Sequence, residues 1–117
     1  MPILTLNINA FVPDEAKFEV AKELSSAVGT ALGKPEMYMC VHIIDQQTIS
    51  FAGNNDPAGY AVLKSIGGVG SSSENNTIAD LIFPIVQKHF GIPGNRFYTE
   101  FVNLGAKDIA FNGKTFG

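Results

Sequence analysis

The chain has 117 residues, 45% of them hydrophobic, which suits one compact domain (residues 1–117) with room for a core. Its net charge is -3 and its eight Lys and Arg form no basic run, which argues against a nucleic-acid partner. The single Cys40 excludes an internal disulfide and a cysteine-rich zinc site, and the absence of a signal-like start or of an apolar run near the ~18 residues of a membrane helix makes the cytosol the expected compartment.

Met1-Pro2-Ile3-Leu4-Thr5-Leu6 reads as an opening strand. Proline at position two permits removal of Met1, which would leave Pro2 as a secondary amine at the head of a buried strand. An α-amino group titrates near pH ~8, and desolvation by Ile3 and Leu4 lowers that value. At a pKa near ~6 about nine-tenths of the amine is unprotonated at neutral pH, as a general base requires. The plainer reading is that Pro2 only opens the strand, a place where proline costs no ladder hydrogen bond.

Residues 7–13 form a connection, and Asp14 to Leu32 carries Phe18, Val20, Leu24, Ala27, Val28, Ala31 and Leu32 at helical spacing. Asp14 and Glu15 suit the positive end of that helix, while Gly33 and Pro35 stop it. Met37 to Asp45 is apolar on both faces, the pattern of a central strand covered above and below. Gln46 to Ser50 is a turn, and Phe51 to Pro57 a polar loop. Tyr60 to Gly67 then reads as a strand and Ser71 to Asn76 as a polar helix start. Ile78, Leu81, Ile82, Ile85, Val86 and Phe90 make a second amphipathic face. Gly91-Ile92-Pro93 ends it as Gly33-Lys34-Pro35 ends the first, and Arg96 to Asn103 is the closing strand. Pro84, inside the second helix, predicts a kink or an interrupted turn.

This is a tandem β-α-β repeat and predicts an α+β fold, a four-stranded mixed sheet with two helices on one face. The other face is left bare although its strands remain apolar, which predicts either a partner subunit with strand edges paired across the interface or a tail folded over that face.

Few residues carry chemistry. Lys34 follows the helix-ending glycine, where it either complements the helix C-terminus or sits near Pro2 to attract an anion and keep the amine neutral. Ser65-Ile66-Gly67-Gly68-Val69-Gly70 lacks the endings of a phosphate loop and of a dinucleotide fingerprint, so its glycines predict close backbone approach, with the Ile66 amide free for a carboxylate. His42 falls in the strand expected to be most buried and reads as a satisfied core or interface histidine; His89 stands alone, and neither has metal-ligand spacing. Cys40, with no basic neighbour, reads as a buried small hydrophobe. No Gly-x-Ser-x-Gly supports a serine hydrolase.

Pro2, Gly33-Lys34-Pro35, Ser65-Ile66-Gly67 and the tail Phe111-Asn112-Gly113-Lys114-Thr115-Phe116 together resemble the macrophage migration inhibitory factor (MIF) family of the tautomerase superfamily over essentially the whole chain. The resemblance implies a homotrimer with an active site at each subunit interface. It also implies keto-enol tautomerisation of phenylpyruvate-type keto acids and isomerisation of dopachrome-type substrates, with no cofactor and no metal. By resemblance Pro2 is the general acid/base, Lys34 and the Ile66 amide hold the substrate carboxylate, Tyr98 comes from the adjacent subunit, and Ile3, Tyr38, Ile109, Phe111 and Phe116 form apolar walls.

Three departures stand out. Phe111 replaces the family's usual tryptophan. Glu100 replaces an asparagine of mammalian members that reaches a substrate hydroxyl. The mammalian Cys-x-x-Cys is absent from Pro57-Ala58-Gly59-Tyr60-Ala61, which removes a thiol oxidoreductase activity through that motif. The alternative the resemblance offers is a secreted cytokine-like ligand, exported without a signal peptide, that engages a cell-surface receptor. The receptor-contacting arginine of mammalian members has no counterpart, because no Lys or Arg precedes Lys17.

Overall fold

Leu4, Leu6 and Ile8 alternate with Ile3, Thr5 and Asn7, and that period of two builds β1 (Ile3–Ile8) in the computed structural model, which describes residues 1–117. With β2 (Cys40–Ile44), β3 (Gly59–Ser65) and β4 (Phe97–Asn103) it forms a mixed sheet in the order β2-β1-β3-β4. β1 runs parallel to β2 and β3 parallel to β4, as two β-α-β units require, and β1 meets β3 antiparallel. The helices α1 (Asp14–Leu32) and α2 (Ser72–Phe90) close the two units. Leu4, Leu6 and Ile8 of β1 and Ala61 and Leu63 of β3 point into one core with Val20, Leu24 and Val28 of α1 and Ile78, Ile82 and Val86 of α2. Both helices therefore lie on one face of the sheet.

Residues at the alternate pleat face the other way, where no helix lies over them. Across the strands from β2 to β4 they form the rows Cys40–Ile3–Lys64–Val102, His42–Thr5–Val62–Glu100 and Ile44–Asn7–Tyr60–Tyr98.

Several expectations need correction. The run 37–45 is an edge strand, not a central one, and it starts at Cys40. After Pro35 the chain makes a 3-10 turn over Glu36–Tyr38, which leaves Met37 exposed. His42 and Cys40 are accordingly exposed on the open face instead of buried. An apolar run reports a demand for cover without saying that the same chain supplies it. β1 extends to Ile8, taking in Asn7, while Gly94–Arg96 forms a 3-10 turn before β4. α2 continues through Pro84 without interruption. Pro84 lies on the exposed side, where the Asp80 carbonyl that loses its N–H partner can turn to water.

His89 does not stand alone: its Nε2 lies 2.8 Å from Glu23, which also accepts from Lys88 at 2.8 Å, bracing α2 against α1. Ser71 and Glu74 form a reciprocal capping box at the start of α2. The tail makes a 3-10 turn (Ala106–Asp108) and a hairpin of β5 (Ala110–Phe111) and β6 (Lys114–Thr115). Asn112 and Gly113 both have positive φ at its tip, the pair a tight two-residue turn demands.

Candidate active site

Pro2 is buried just ahead of β1, and its carbonyl accepts from the Cys40 N–H at 3.1 Å. This single bond ties Pro2 to the start of β2. Ile3 pairs with Lys64 in the antiparallel register, so one step back Pro2 stands beside Ser65 and the Ile66 loop. Two separate sequence motifs thus meet at one end of the sheet.

Lys34 arrives there from the end of α1. The helix is closed by backbone: Gly33 takes a left-handed conformation, and the Gly33 and Lys34 N–H groups donate to Thr30 and Gly29. The Lys34 side chain forms no salt bridge and is free for another anion. Burial first, and then the charge of Lys34, hold the chain's amino group below its usual pKa. Lys34 is therefore within electrostatic reach of the N-terminus.

Beside them lies a cavity of about 160 Å³ lined by eight hydrophobic residues. Met1 and Ile3 contribute from the N-terminus, Tyr38 from the turn before β2, Cys40 from the start of β2, and Ile109, Ala110, Phe111 and Phe116 from the tail. Three rings hold the tail in place: Tyr38 meets Phe111 edge-on at 5.0 Å and Phe116 at 6.3 Å, and Phe111 stacks on Phe116 at 6.3 Å. The Phe116 N–H donates to the Ala106 carbonyl at 3.0 Å. Seven of the ten residues singled out from sequence, Pro2, Ile3, Lys34, Tyr38, Ile109, Phe111 and Phe116, gather at this end of the molecule.

The Ile66 amide is close by. Its N–H finds no acceptor within the chain. The loop that carries it turns on Gly67 and Gly68, both at positive φ, and a Cβ on Gly68 would stand 2.7 Å from Leu32 Cδ2.

Tyr98 and Glu100 are elsewhere in the single chain. They line a shallow depression with Tyr60, Ala61 and Thr99, and Tyr98 is 68% exposed. Behind Tyr98 lies Phe51, its ring 5.2 Å away. Arg96 is buried and donates to the carbonyls of Phe51, Asn54, Asp56 and Pro57 at 2.9, 3.4, 2.9 and 3.0 Å, with its guanidinium 5.4 Å from the Phe51 ring. Sequence reasoning missed Arg96, because a lone arginine before a strand gives no sign of the loop it will hold. It also missed Cys40 and Ala110 as lining residues. Cys40 was findable, since its strand begins beside Ile3. No cluster of three or more His, Cys, Asp or Glu that could hold a metal is present.

Comparison with known proteins agrees with this fold. A family model described as macrophage migration inhibitory factor (MIF) matches residues 1–117. A macrophage migration inhibitory factor homolog of Trichinella spiralis is 42% identical over 116 residues, covering 99% of this chain and 100% of the relative. The solved structure of the Trichinella spiralis factor superposes with a TM-score of 0.88 at 39% identity, over 97% of this chain and 99% of that one. A homologue from Prochlorococcus marinus gives a TM-score of 0.92 at 30% identity, over 98% and 99% of the two chains.

Proposed function

The chain belongs to the macrophage migration inhibitory factor family, and we propose that it is a cofactor-independent keto-enol tautomerase acting on phenylpyruvate-type keto acids and dopachrome-type substrates. The observation that carries this reading is the placement of Pro2: buried between Met1 and Ile3, which both line an apolar cavity, with Lys34 in electrostatic reach of the chain's amino group. Removal of Met1 moves the amino terminus one residue inward. Burial and the Lys34 charge then act on the proline nitrogen in the direction they act on the Met1 amine, favouring the neutral base.

The nitrogen lone pair takes a proton from the carbon beside the ketone. The C–H electron pair becomes the new C=C bond, and the carbonyl pair moves to oxygen. The resulting pyrrolidinium returns the proton to that oxygen, so the enol forms with nothing gained or lost. Lys34 and the Ile66 N–H hold the substrate carboxylate, while Tyr38, Phe111 and Phe116 take its aromatic ring and keep water from the base.

The reading includes a homotrimer working in the cytosol, in which Tyr98 and Glu100 of one subunit complete the cavity of the next. Their distance from Pro2 within one chain and the sheet face that no helix covers both support it. Glu100 has no ion-pair partner. It would accept a hydrogen bond from a phenolic substrate and repel one with a second acid.

The test begins with intact mass, which should find Met1 removed, and sedimentation, which should find three chains. Pro2→Ala should then lower kcat/KM for phenylpyruvate about a hundredfold or more with the fold preserved. Unchanged turnover in that variant would remove the mechanism.

A further inference from the structure

The Ile66 N–H is useful to a carboxylate only if it is aimed, and the backbone around it explains how. The peptide unit joining Ser65 to Ile66 is planar and trans, so its C=O and N–H point in opposite directions. The Ser65 carbonyl accepts from the Leu104 N–H at 2.8 Å, on the β4 side of β3. The Ile66 N–H must therefore point to the other side, where β1 runs and where the register sets Pro2 beside Ser65.

The next peptide units are held by side chains. Asn103, the last residue of β4 and the partner of Ser65 in the parallel register, accepts from the Gly67 N–H through Oδ1 at 3.0 Å. The Ser65 hydroxyl, fully buried, donates to the Gly67 carbonyl at 2.8 Å. Gly67 and Gly68 sit at positive φ and have no side chains to brace the turn, so these two bonds do it instead. They consume both polar groups of Gly67 and leave the Ile66 N–H without an acceptor.

We infer that Asn103 is a positioning residue for the substrate carboxylate: with Ser65 it clamps the Gly67 peptide so that the Ile66 N–H stays directed at the space beside Pro2. Asn103 touches neither the reacting carbon nor the base. Its contribution is confined to substrates that carry the anion, which separates it from a residue that merely stabilises the fold. The inference rests on the proposed role of the Ile66 amide.

The experiment compares phenylpyruvate with its methyl ester on the parent protein, Asn103→Ala, Ser65→Ala and Lys34→Ala. Asn103 is exposed, so its replacement should leave the fold intact. Both Asn103→Ala and Ser65→Ala should raise KM for the acid about tenfold, the scale of one weakened bond to a charged group, with kcat within about twofold. Both constants for the ester should stay within about twofold of the parent. Titrating the parent with phenylpyruvate should also shift the Ile66 amide resonance, with the midpoint moving to higher concentration in Asn103→Ala.

Equal losses on acid and ester, or no loss on either, would overturn the role of Asn103. A selective loss in Lys34→Ala with none in Asn103→Ala would do the same while leaving the carboxylate site standing. An Ile66 resonance that ignores the acid in the parent, with no selective loss in Lys34→Ala, would remove both.

Discussion

The two faces of the sheet are built from the same strands and treat their residues in opposite ways. On the covered face Leu4, Ile8, Ala61 and Leu63 have no exposed surface and Leu6 has 1%. One residue along, on the open face, Tyr60 is 44% exposed, Tyr98 68%, and Lys64 and Glu100 project freely. The covered face accounts for why this chain folds. The open face mixes Ile3, Ile44, Val62 and Val102 with five polar or charged residues, and its apolar members contribute little to a lone chain. Every residue offered for chemistry from β1 and β4, namely Ile3, Tyr98 and Glu100, belongs to it. On the proposed reading, the pleat separates the strand residues that stabilise the fold from those of β1 and β4 offered for chemistry.

Neighbouring substitutions in β3 test that division. Leu63→Ala should cost about 2–5 kcal/mol in urea unfolding, because it leaves a cavity between sheet and helices that the surroundings refill only in part. That loss should be the same at every protein concentration. Val62→Ala, one residue earlier but facing the other way, should cost under about 1 kcal/mol when dilute, with any larger effect growing with concentration as subunits associate. A concentration-independent loss from Val62→Ala equal to that of Leu63→Ala would break the comparison. Val62→Glu sharpens it: it sets a second carboxylate opposite Glu100 in the register, so sedimentation should find dissociated chains while circular dichroism stays unchanged.

Arg96 offers a smaller effect, confined to the Tyr98 end. Its four carbonyl bonds hold the 51–57 loop and so the Phe51 ring behind Tyr98. Arg96→Met keeps much of the apolar volume and removes the donors. The freed carbonyls lie in an exposed loop and can recover water, so the expected loss is about 2 kcal/mol, read as a lower midpoint in urea with helix content unchanged. Limited proteolysis should cut first within residues 51–57. Cleavage beginning in the tail hairpin would show that Arg96 is not what secures the loop.

How much of this was legible differs between helices, strands and site for physical reasons. α1 runs over the residues its periodicity marked, from Asp14 to Leu32, because its apolar stripe, its acidic first turn and Gly33 all agree. The β-α-β repeat was legible from the matched Gly-x-Pro stops. The 37–45 run was misread because Met37, Tyr38 and Cys40 are apolar for reasons outside the helical layer: Tyr38 and Cys40 line the cavity, and Met37 is exposed. Residues at the Pro2 end came together because three adjoining segments carry them. The tail hairpin was not assigned, since only the packing of Phe111 and Phe116 on Tyr38 gives its two-residue strands a place to lie. Asn103 and Arg96 could not be found from sequence, as each works through backbone groups of a distant loop.

The smallest expected effect lies where the covered face ends, at Asp45, just past β2. Its carboxylate accepts from the Val12 N–H at 2.8 Å and from Lys17 at 3.0 Å, and so fastens the start of α1 to the sheet edge. The Val12 bond first, and then Lys17, hold the Asp45 carboxyl below its ordinary pKa, and Lys17 is raised in turn by Asp45 and Asp14. A depressed carboxyl stabilises the fold at pH values above its unfolded pKa near ~4 and loses that contribution as pH falls through the lower folded value. Asp45→Asn keeps the shape but accepts more weakly and cannot titrate. The parent should melt higher than the variant by a constant margin above about pH 5, and the margin should shrink as the pH drops below about 4. A margin that held to pH 2 would mean that the Val12 bond acts through geometry alone, whereas one confined to low salt would assign it to Lys17.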